Sequence, residues 1–303
     1  MSLVRRWQAF WFPEVPVKRV AAFRIVMAGF AFLDIWVVSG WVSRFSRADG
    51  DFYRPVLVLR ALPRLGPGPT TVIWVVLVVA LALALAGLFT RAALVVAAPL
   101  YCWWWATYYS YGAIMHTRIT PLVALTVLAV APSGQAWSLD AWRARRRGRP
   151  LASDARDELA GWALRVVMVL VAAAYMFAAY AKLKVSGIGW VSGGAVKAVL
   201  IEHGTWSGEL ASGSPLLPGS LAALTLVLEA SAWVLFLRGR IRDAYYAAAF
   251  LFHLGTLILL EINFLGLLLT YLAFYDLEVG VARTSAWLRR LSGPALERSP
   301  LPR

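Results

Sequence analysis

The sequence predicts an all-α integral membrane protein: a bundle of about eight transmembrane helices with an N-terminal interfacial helix and both termini cytoplasmic. Of its 303 residues, 60% are hydrophobic and 15% are charged, against about 45–50% and about 25% in soluble domains. A soluble fold of this length could not bury so much apolar surface. The fifteen tryptophans are also typical of bilayer proteins, because indole rings favour the headgroup boundary.

The elements follow from the apolar pattern. An aromatic amphipathic stretch from Trp7 to Phe12 predicts that residues 1–19 are an interfacial segment. Eight mostly apolar runs follow, the fourth of them short for a span, at 20–38, 72–89, 92–109, 118–132, 161–181, 218–237, 244–260 and 262–278. We therefore expect a single domain over 1–303, with the helical bundle at 20–278 and a basic cytoplasmic tail at 279–303.

Basic residues predict the orientation and the kind of partner. With both termini inside, the inner segments hold nineteen lysines and arginines and the outer segments nine, as the positive-inside rule requires. The loop 133–160 is then cytoplasmic, the Pro- and Gly-rich loop 39–71 caps the outer face, and a short helix is expected near 190–202 of the outer segment 182–217. The basic residues form clusters between apolar runs, which indicates membrane lipid and not nucleic acid as the partner.

Several kinds of chemistry are excluded by the residues that the chain lacks. The single Cys102 allows no disulfide within the chain and no multi-cysteine metal site. The sequence contains no Gly-rich phosphate loop and no nucleophile elbow. We therefore expect no metal, and candidate sites are the ionisable residues within spans, where each is energetically expensive.

Lys182 closes the fifth apolar run at its outer end, and two interpretations remain open. The amine extends to the headgroups, as lysines near span ends often do. Alternatively it is partly desolvated, which would lower its pKa and make it a base near neutral pH.

The other ionisable candidates lie in or near several runs. His116 precedes the fourth run and His253 lies in the seventh; each is either a hydrogen-bonded structural residue or part of a site. Glu261 lies eight residues after His253, about 80° away on a helix, so the two could bound one cavity. Glu229 is expected to be neutral or paired with a neighbouring helix, and Arg24 and Asp34 face different ways and need separate partners.

Aromatic residues crowd the outer end of the third run, between Tyr101 and Tyr111. Trp105 and Tyr109 belong to this group. The group is either an interfacial aromatic belt or one wall of a pocket for a flat apolar ligand such as a quinone.

Several short blocks, in order, resemble the HTTM superfamily, the membrane region that vitamin K-dependent γ-carboxylases share with many bacterial proteins. The similarity extends from about residue 20 to 278. The blocks are Arg24-Ile25 with Asp34, Met115-His116-Thr117, Trp137-Ser138-Leu139-Asp140 before a basic loop, Tyr180-Ala181-Lys182-Leu183, Trp190-Val191-Ser192-Gly193 and Phe252-His253.

The resemblance implies a helical bundle whose site faces outside, in a multi-pass protein of the plasma membrane type. It assigns the base that deprotonates vitamin K hydroquinone to Lys182, with His116 and His253 at the same end. Tyr180, Trp190, Trp105, Tyr109 and Glu261 are the expected ligand-binding residues.

Two functions from different classes follow. The first is a quinol-dependent carboxylase or epoxidase, a lyase-type enzyme that uses vitamin K hydroquinone or menaquinol and a glutamyl substrate. The second is a non-catalytic quinone- or lipid-binding component, or a subunit that assembles with a partner protein. The sequence leaves open whether the chain is an enzyme.

Overall fold

The computed structural model describes residues 2–48, 50–112 and 116–291, and of residues 38–43, 58, 116 and 289–291 it describes the backbone only. Helices dominate this part of the chain. They are α1 (Leu3–Trp11), α2 (Val17–Phe45), α3 (Pro67–Ala86), α4 (Thr90–Tyr109), α5 (Ile119–Val130), α6 (Leu139–Arg146), α7 (Glu158–Ser186), α8 (Gly194–His203), α9 (Trp206–Ser212), α10 (Leu217–Ala230), α11 (Arg240–Leu260), α12 (Leu265–Thr270) and α13 (Leu277–Leu291). Short 3₁₀ segments lie at Gly50–Phe52, Leu57–Ala61, His116–Arg118, Gly187–Ser192, Ala232–Phe236 and Tyr271–Phe274.

The all-α membrane architecture is confirmed. Within the described residues, four helical stretches are long and apolar enough to cross a bilayer, Val17–Val37, Pro67–Ala86, Glu158–Ser192 and Arg240–Leu260. Two further pairs of helices are long and apolar enough only when each pair is taken as one segment, and each pair is bent at a short break. The bend is 101° between α9 and α10, and 91° between the stretch Leu265–Phe274 and α13. Length and composition therefore support four spans, or up to six if each bent pair is one span.

This number is smaller than the eight runs in the sequence, although each of those runs contains helix. The fourth run forms α5, whose 12 residues cover only about 18 Å of an apolar core about 30 Å thick. The third run forms α4, which has 20 residues but carries several tyrosines and tryptophans that lower its hydropathy. The sixth run breaks at Ser231 between α10 and a 3₁₀ segment.

Two regions outside the runs take the form that the sequence predicts. The short helix expected near 190–202 is α8. The loop between α2 and α3 packs on the end of α4: the Val56 amide donates to Ser110 Oγ at 3.2 Å, and Arg64 Nε donates to the Tyr111 hydroxyl at 2.7 Å. Leu59 of this loop is buried.

The opposite end of the bundle is joined by the one strand pair in the described residues. The strands β1 (Val15–Pro16) and β2 (Arg156–Asp157) are antiparallel, with Val15 opposite Asp157. Gly161 of α7 lies so close to Pro13 that a Cβ there would be 1.6 Å from the Pro13 carbonyl oxygen. This contact sets the starts of α2 and α7 side by side.

Candidate functional site

Lys182 forms an ion pair with Glu229, which joins α7 to α10. The Lys182 ammonium donates to both carboxylate oxygens at 2.8 Å. Only 20% of the Lys182 side chain and 9% of the Glu229 side chain are exposed. Side chains on a helix lean towards its N-terminus, so Lys182 leans back along α7 into the bundle and meets a carboxylate there.

Trp190 covers this ion pair. The centre of its indole ring lies 5.4 Å from Lys182 Nζ. The residue is on the 3₁₀ segment Gly187–Ser192, which folds back against α10 because Gly193 has φ +80° and lies against Gly219. The indole N–H of Trp190 is buried and has no hydrogen-bond partner among the described residues, so a polar donor is available beside the ion pair.

His253 lies inside the bundle, where its Nε2 is hydrogen-bonded to the Tyr175 hydroxyl. Tyr175 is seven residues before Lys182 on α7, two helical turns away on the same face. The ring of Phe264 packs against the imidazole with a distance of 4.4 Å between ring centres.

The ion pair and this histidine lie near each other along α7. The phenols of Tyr175 and Tyr245 are within electrostatic range of the Glu229 carboxylate, and the Tyr245 hydroxyl donates to the carbonyl oxygen of the neighbouring Leu228 at 2.7 Å. We refer to Lys182, Glu229, Trp190, Tyr175 and His253 as the Lys182 cluster. The cluster combines an amine, a carboxylate, an imidazole, a phenol and an indole N–H within apolar helices, which is a set of groups suited to acid–base chemistry on an apolar ligand.

Trp105 and Tyr109 belong to a second buried polar group. Asp34 of α2 accepts from Arg118 Nη2 at 2.8 Å and from the Tyr101 hydroxyl at 2.8 Å. The Arg118 guanidinium lies 4.5 Å above the centre of the Trp105 ring, and Tyr109 packs against that ring at 5.9 Å. This group ties α2, α4 and the start of α5 together.

Arg24 has other partners, which confirms that it and Asp34 do not pair with each other. The Arg24 guanidinium is fully buried and donates to the carbonyl oxygens of Ser133 and Trp137 at 2.8 and 2.7 Å. Asp140 nearby accepts from the backbone amides of Phe89 and Thr90 and so caps the start of α4.

The turn between α11 and α12 contacts both the Lys182 cluster and the second polar group, which contains Asp34 and Arg118. Its Asn263 carbonyl oxygen is 3.5 Å from Arg118 Nη1, and its Phe264 ring packs on His253. His116 begins the 3₁₀ segment His116–Arg118, but its side chain lies outside the described residues. Its predicted role beside His253 stays a prediction.

Tyr180 and Glu261 lie away from the buried groups. Tyr180 is exposed on α7 beneath the ammonium of Lys184, at 5.9 Å from its ring centre. Glu261 ends α11 in a left-handed conformation, φ 55°, and its side chain is exposed. His253 is buried, so the structure does not bring these two residues into one enclosed cavity.

Sequence reasoning missed several members of these groups. It did not identify Glu229 as the partner of Lys182, and it passed over Tyr175 and Arg118. The spacing of Tyr175, two turns from Lys182 on the same helix, is the signal that could have identified it. Among the described residues, no group of three His, Cys, Asp or Glu side chains is placed to hold a metal ion.

Comparison with known proteins agrees with this architecture. The family model of the HTTM domain matches residues 12–277, which covers most of the chain. No curated protein and no solved structure matches the chain significantly. The chain therefore belongs to the HTTM domain family.

Proposed function

We propose that this chain is a quinol-dependent membrane enzyme in which Lys182 removes a proton from a bound quinol. The observation that carries the proposal is the ion pair of Lys182 with Glu229 at 2.8 Å inside an apolar bundle. Ionisable groups in such positions are expensive and often functional. HTTM domains occur in vitamin K-dependent γ-carboxylase-like proteins, which favours a quinol and a carboxylase or epoxidase reaction.

The polar groups of the Lys182 cluster fit a quinol. The Trp190 indole offers a flat apolar surface and a buried N–H without a protein acceptor among the described residues. The Lys182 amine lies 5.4 Å from the centre of this indole ring and is bonded to Glu229. A hydroxyl group of vitamin K hydroquinone or menaquinol would be bound at this amine. A bound quinol supplies the reducing equivalents with which oxygen is activated to deprotonate a glutamyl side chain before carbon dioxide adds.

The residues of the cluster then have separate roles. Glu229 accepts the ammonium proton of Lys182, which leaves the amine with a free lone pair. Lys182 Nζ takes the proton of the quinol hydroxyl and becomes an ammonium facing the new oxyanion. Tyr175 holds the imidazole of His253 in one orientation, so that His253 orients the far side of the ligand.

The position of Lys182 along α7 supports access from the outer side of the membrane. It lies four residues before the end of the helix, about 6 Å along the axis. The distribution of basic residues favours an outer position for this end. We therefore propose a plasma-membrane protein whose site opens to the outer face, where a glutamyl substrate or a partner protein would have access.

The proposal is tested by measuring oxygen-dependent oxidation of added menaquinol by the purified full-length protein in lipid nanodiscs. Lys182→Met should reduce turnover by about a hundredfold or more, the typical contribution of a general base. Lys184→Met is the matched control, because Lys184 is on the same helix end but rests on the exposed Tyr180 ring. Equal turnover in the two variants would refute the role of Lys182.

The non-catalytic function is favoured by a different aspect of the same ion pair. A carboxylate at 2.8 Å stabilises the charged ammonium and opposes its use as a base. In that case the protein is a quinone- or lipid-binding component of the membrane or of a larger assembly. Wild-type protein that binds menaquinone, measured by quenching of tryptophan fluorescence, but shows no turnover would support this second function over the first.

A further inference from the structure

We propose that the cytoplasmic end of the bundle binds the phosphate of an anionic phospholipid between Arg165 and Arg238. Arg165 is on the second turn of α7, and Arg238 lies between the 3₁₀ segment Ala232–Phe236 and α11. This site is separate from the Lys182 cluster and does not depend on the proposed enzyme activity.

The guanidinium of Arg165 is held in place by two aromatic rings. Its central carbon lies 4.7 Å from the ring centre of Phe10 and 5.9 Å from that of Phe236. These two rings are 6.1 Å apart and belong to α1 and to the segment before Arg238. The Nε atom of Arg165 is buried and has no hydrogen-bond partner in the described part of the chain.

No acidic residue in the described part of the chain forms an ion pair with Arg165. Arg238 is two residues after Phe236, whose ring the Arg165 guanidinium contacts, so the two positive charges lie near each other. The ion pairs within residues 2–48, 50–112 and 116–291 do not include either arginine. Two neighbouring guanidinium groups are stabilised by an anion, and phosphate matches the geometry of their N–H groups.

The depth of the pair indicates a lipid as the source of that phosphate. Arg165 lies seven residues inside α7, about 10 Å from its start, and the 29-residue helix is about 43 Å long. A bilayer is about 40–45 Å thick with its headgroups and about 30 Å without them, so the backbone of Arg165 lies just below the inner headgroups. Its long side chain leans towards the start of α7 and can reach them. The exposed apolar side chains of Leu3, Val4 and Trp7 on α1 supply a surface for acyl chains beside it.

The test uses the full chain in neutral detergent, titrated with short-chain phosphatidylglycerol, phosphatidylcholine or inorganic phosphate while the melting temperature is followed. We expect phosphatidylglycerol alone to raise the melting temperature. Arg165→Gln and Arg238→Gln should each shift the midpoint of this effect to about fivefold higher lipid concentration, the contribution of one basic residue near an anionic surface. Arg147→Gln is the control, because it removes one exposed positive charge at the end of α6.

The possible results separate the alternatives. Equal shifts in Arg147→Gln and the two site variants would show unspecific attraction and overturn the proposal. A melting shift with inorganic phosphate as large as that with phosphatidylglycerol would mean a free anion, and would overturn the lipid assignment. Arg238 is exposed, so Arg238→Gln keeps the test decisive if Arg165→Gln does not fold.

Discussion

Glu229 supplies the negative charge that compensates the ammonium of Lys182 inside the folded protein. Each of these side chains alone would place an uncompensated charge among apolar helices, and together they neutralise each other at 2.8 Å. The pair is largely shielded, with 9% of the Glu229 side chain exposed. Removing one partner therefore harms the fold more than removing both.

This reasoning gives a prediction about stability at the residue scale. Lys182→Met and Glu229→Gln should each lower the melting temperature of the purified protein. The double variant should be more stable than the sum of the two changes, with a coupling free energy of about 1–3 kcal/mol. The measurement is a double-mutant cycle of unfolding in detergent.

A matched ion pair on the surface provides the control. Lys18 also bonds to an acidic residue, Asp154, but 38% and 81% of their side chains are exposed. Because exposed ion pairs contribute about 0–1 kcal/mol, the cycle of Lys18→Met with Asp154→Asn should give a coupling near zero. Similar coupling in both cycles would contradict the assignment of Lys182 and Glu229 as a shielded pair.

At the scale of elements, the block Trp190-Val191-Ser192-Gly193 has a structural explanation. Gly193 ends the 3₁₀ segment with φ +80°, a conformation that other residues adopt only with strain. A Cβ at Gly193 would lie 2.3 Å from the Gly219 backbone nitrogen. The glycine therefore allows the segment that carries Trp190 to approach α10, which carries Glu229.

Gly193→Ala should consequently displace Trp190 from the ion pair. We expect a loss of stability of about 1–3 kcal/mol and weaker quenching of tryptophan fluorescence by menaquinone. The melting temperature and a quinone titration measure the two effects. Gly189→Ala is the control, because Gly189 lies in the same segment and a methyl group there would meet no described atom within 4 Å. Equal effects at both positions would refute this explanation.

At the scale of the whole molecule, the orientation in the membrane is open to a direct test. In a Cys102→Ala background, a cysteine replacing the exposed Glu202 of α8 should react with an impermeant maleimide in intact cells. A cysteine replacing the exposed Ala152 of the loop before α7 should react only after lysis, because the positive-inside rule places that loop in the cytoplasm. Labelling in the opposite order would reverse the orientation.

The sequence was sufficient to predict the fold class and which neighbouring polar residues do not pair with each other. Hydropathy and spacing along one helix are local properties. Arg24 and Asp34 are an example: ten residues on one helix separate them by about 15 Å along its axis, too far for a pair, and the structure gives them separate partners. The pairing of Lys182 with Glu229 could not be predicted in this way. It spans 47 positions and depends on how α7 and α10 pack.

The number of spans was harder to predict than their positions. A run of apolar residues does not show where a helix breaks, and the sixth run ends its α-helix at Ala230, which the pattern did not indicate. The length of α5 was predictable to within a few residues, but whether 12 residues cross the bilayer depends on the neighbouring helices.

The strand pair at Val15–Pro16 and Arg156–Asp157 places the starts of α2 and α7 at one common point. Both α2 and α7 contain 29 residues measured from that point. Asp34 then stands about 26 Å and Lys182 about 36 Å from the origin, measured along the axes. A thicker or thinner bilayer would shift both buried charges by the same amount relative to the lipid, while their separation of about 10 Å in height stayed constant.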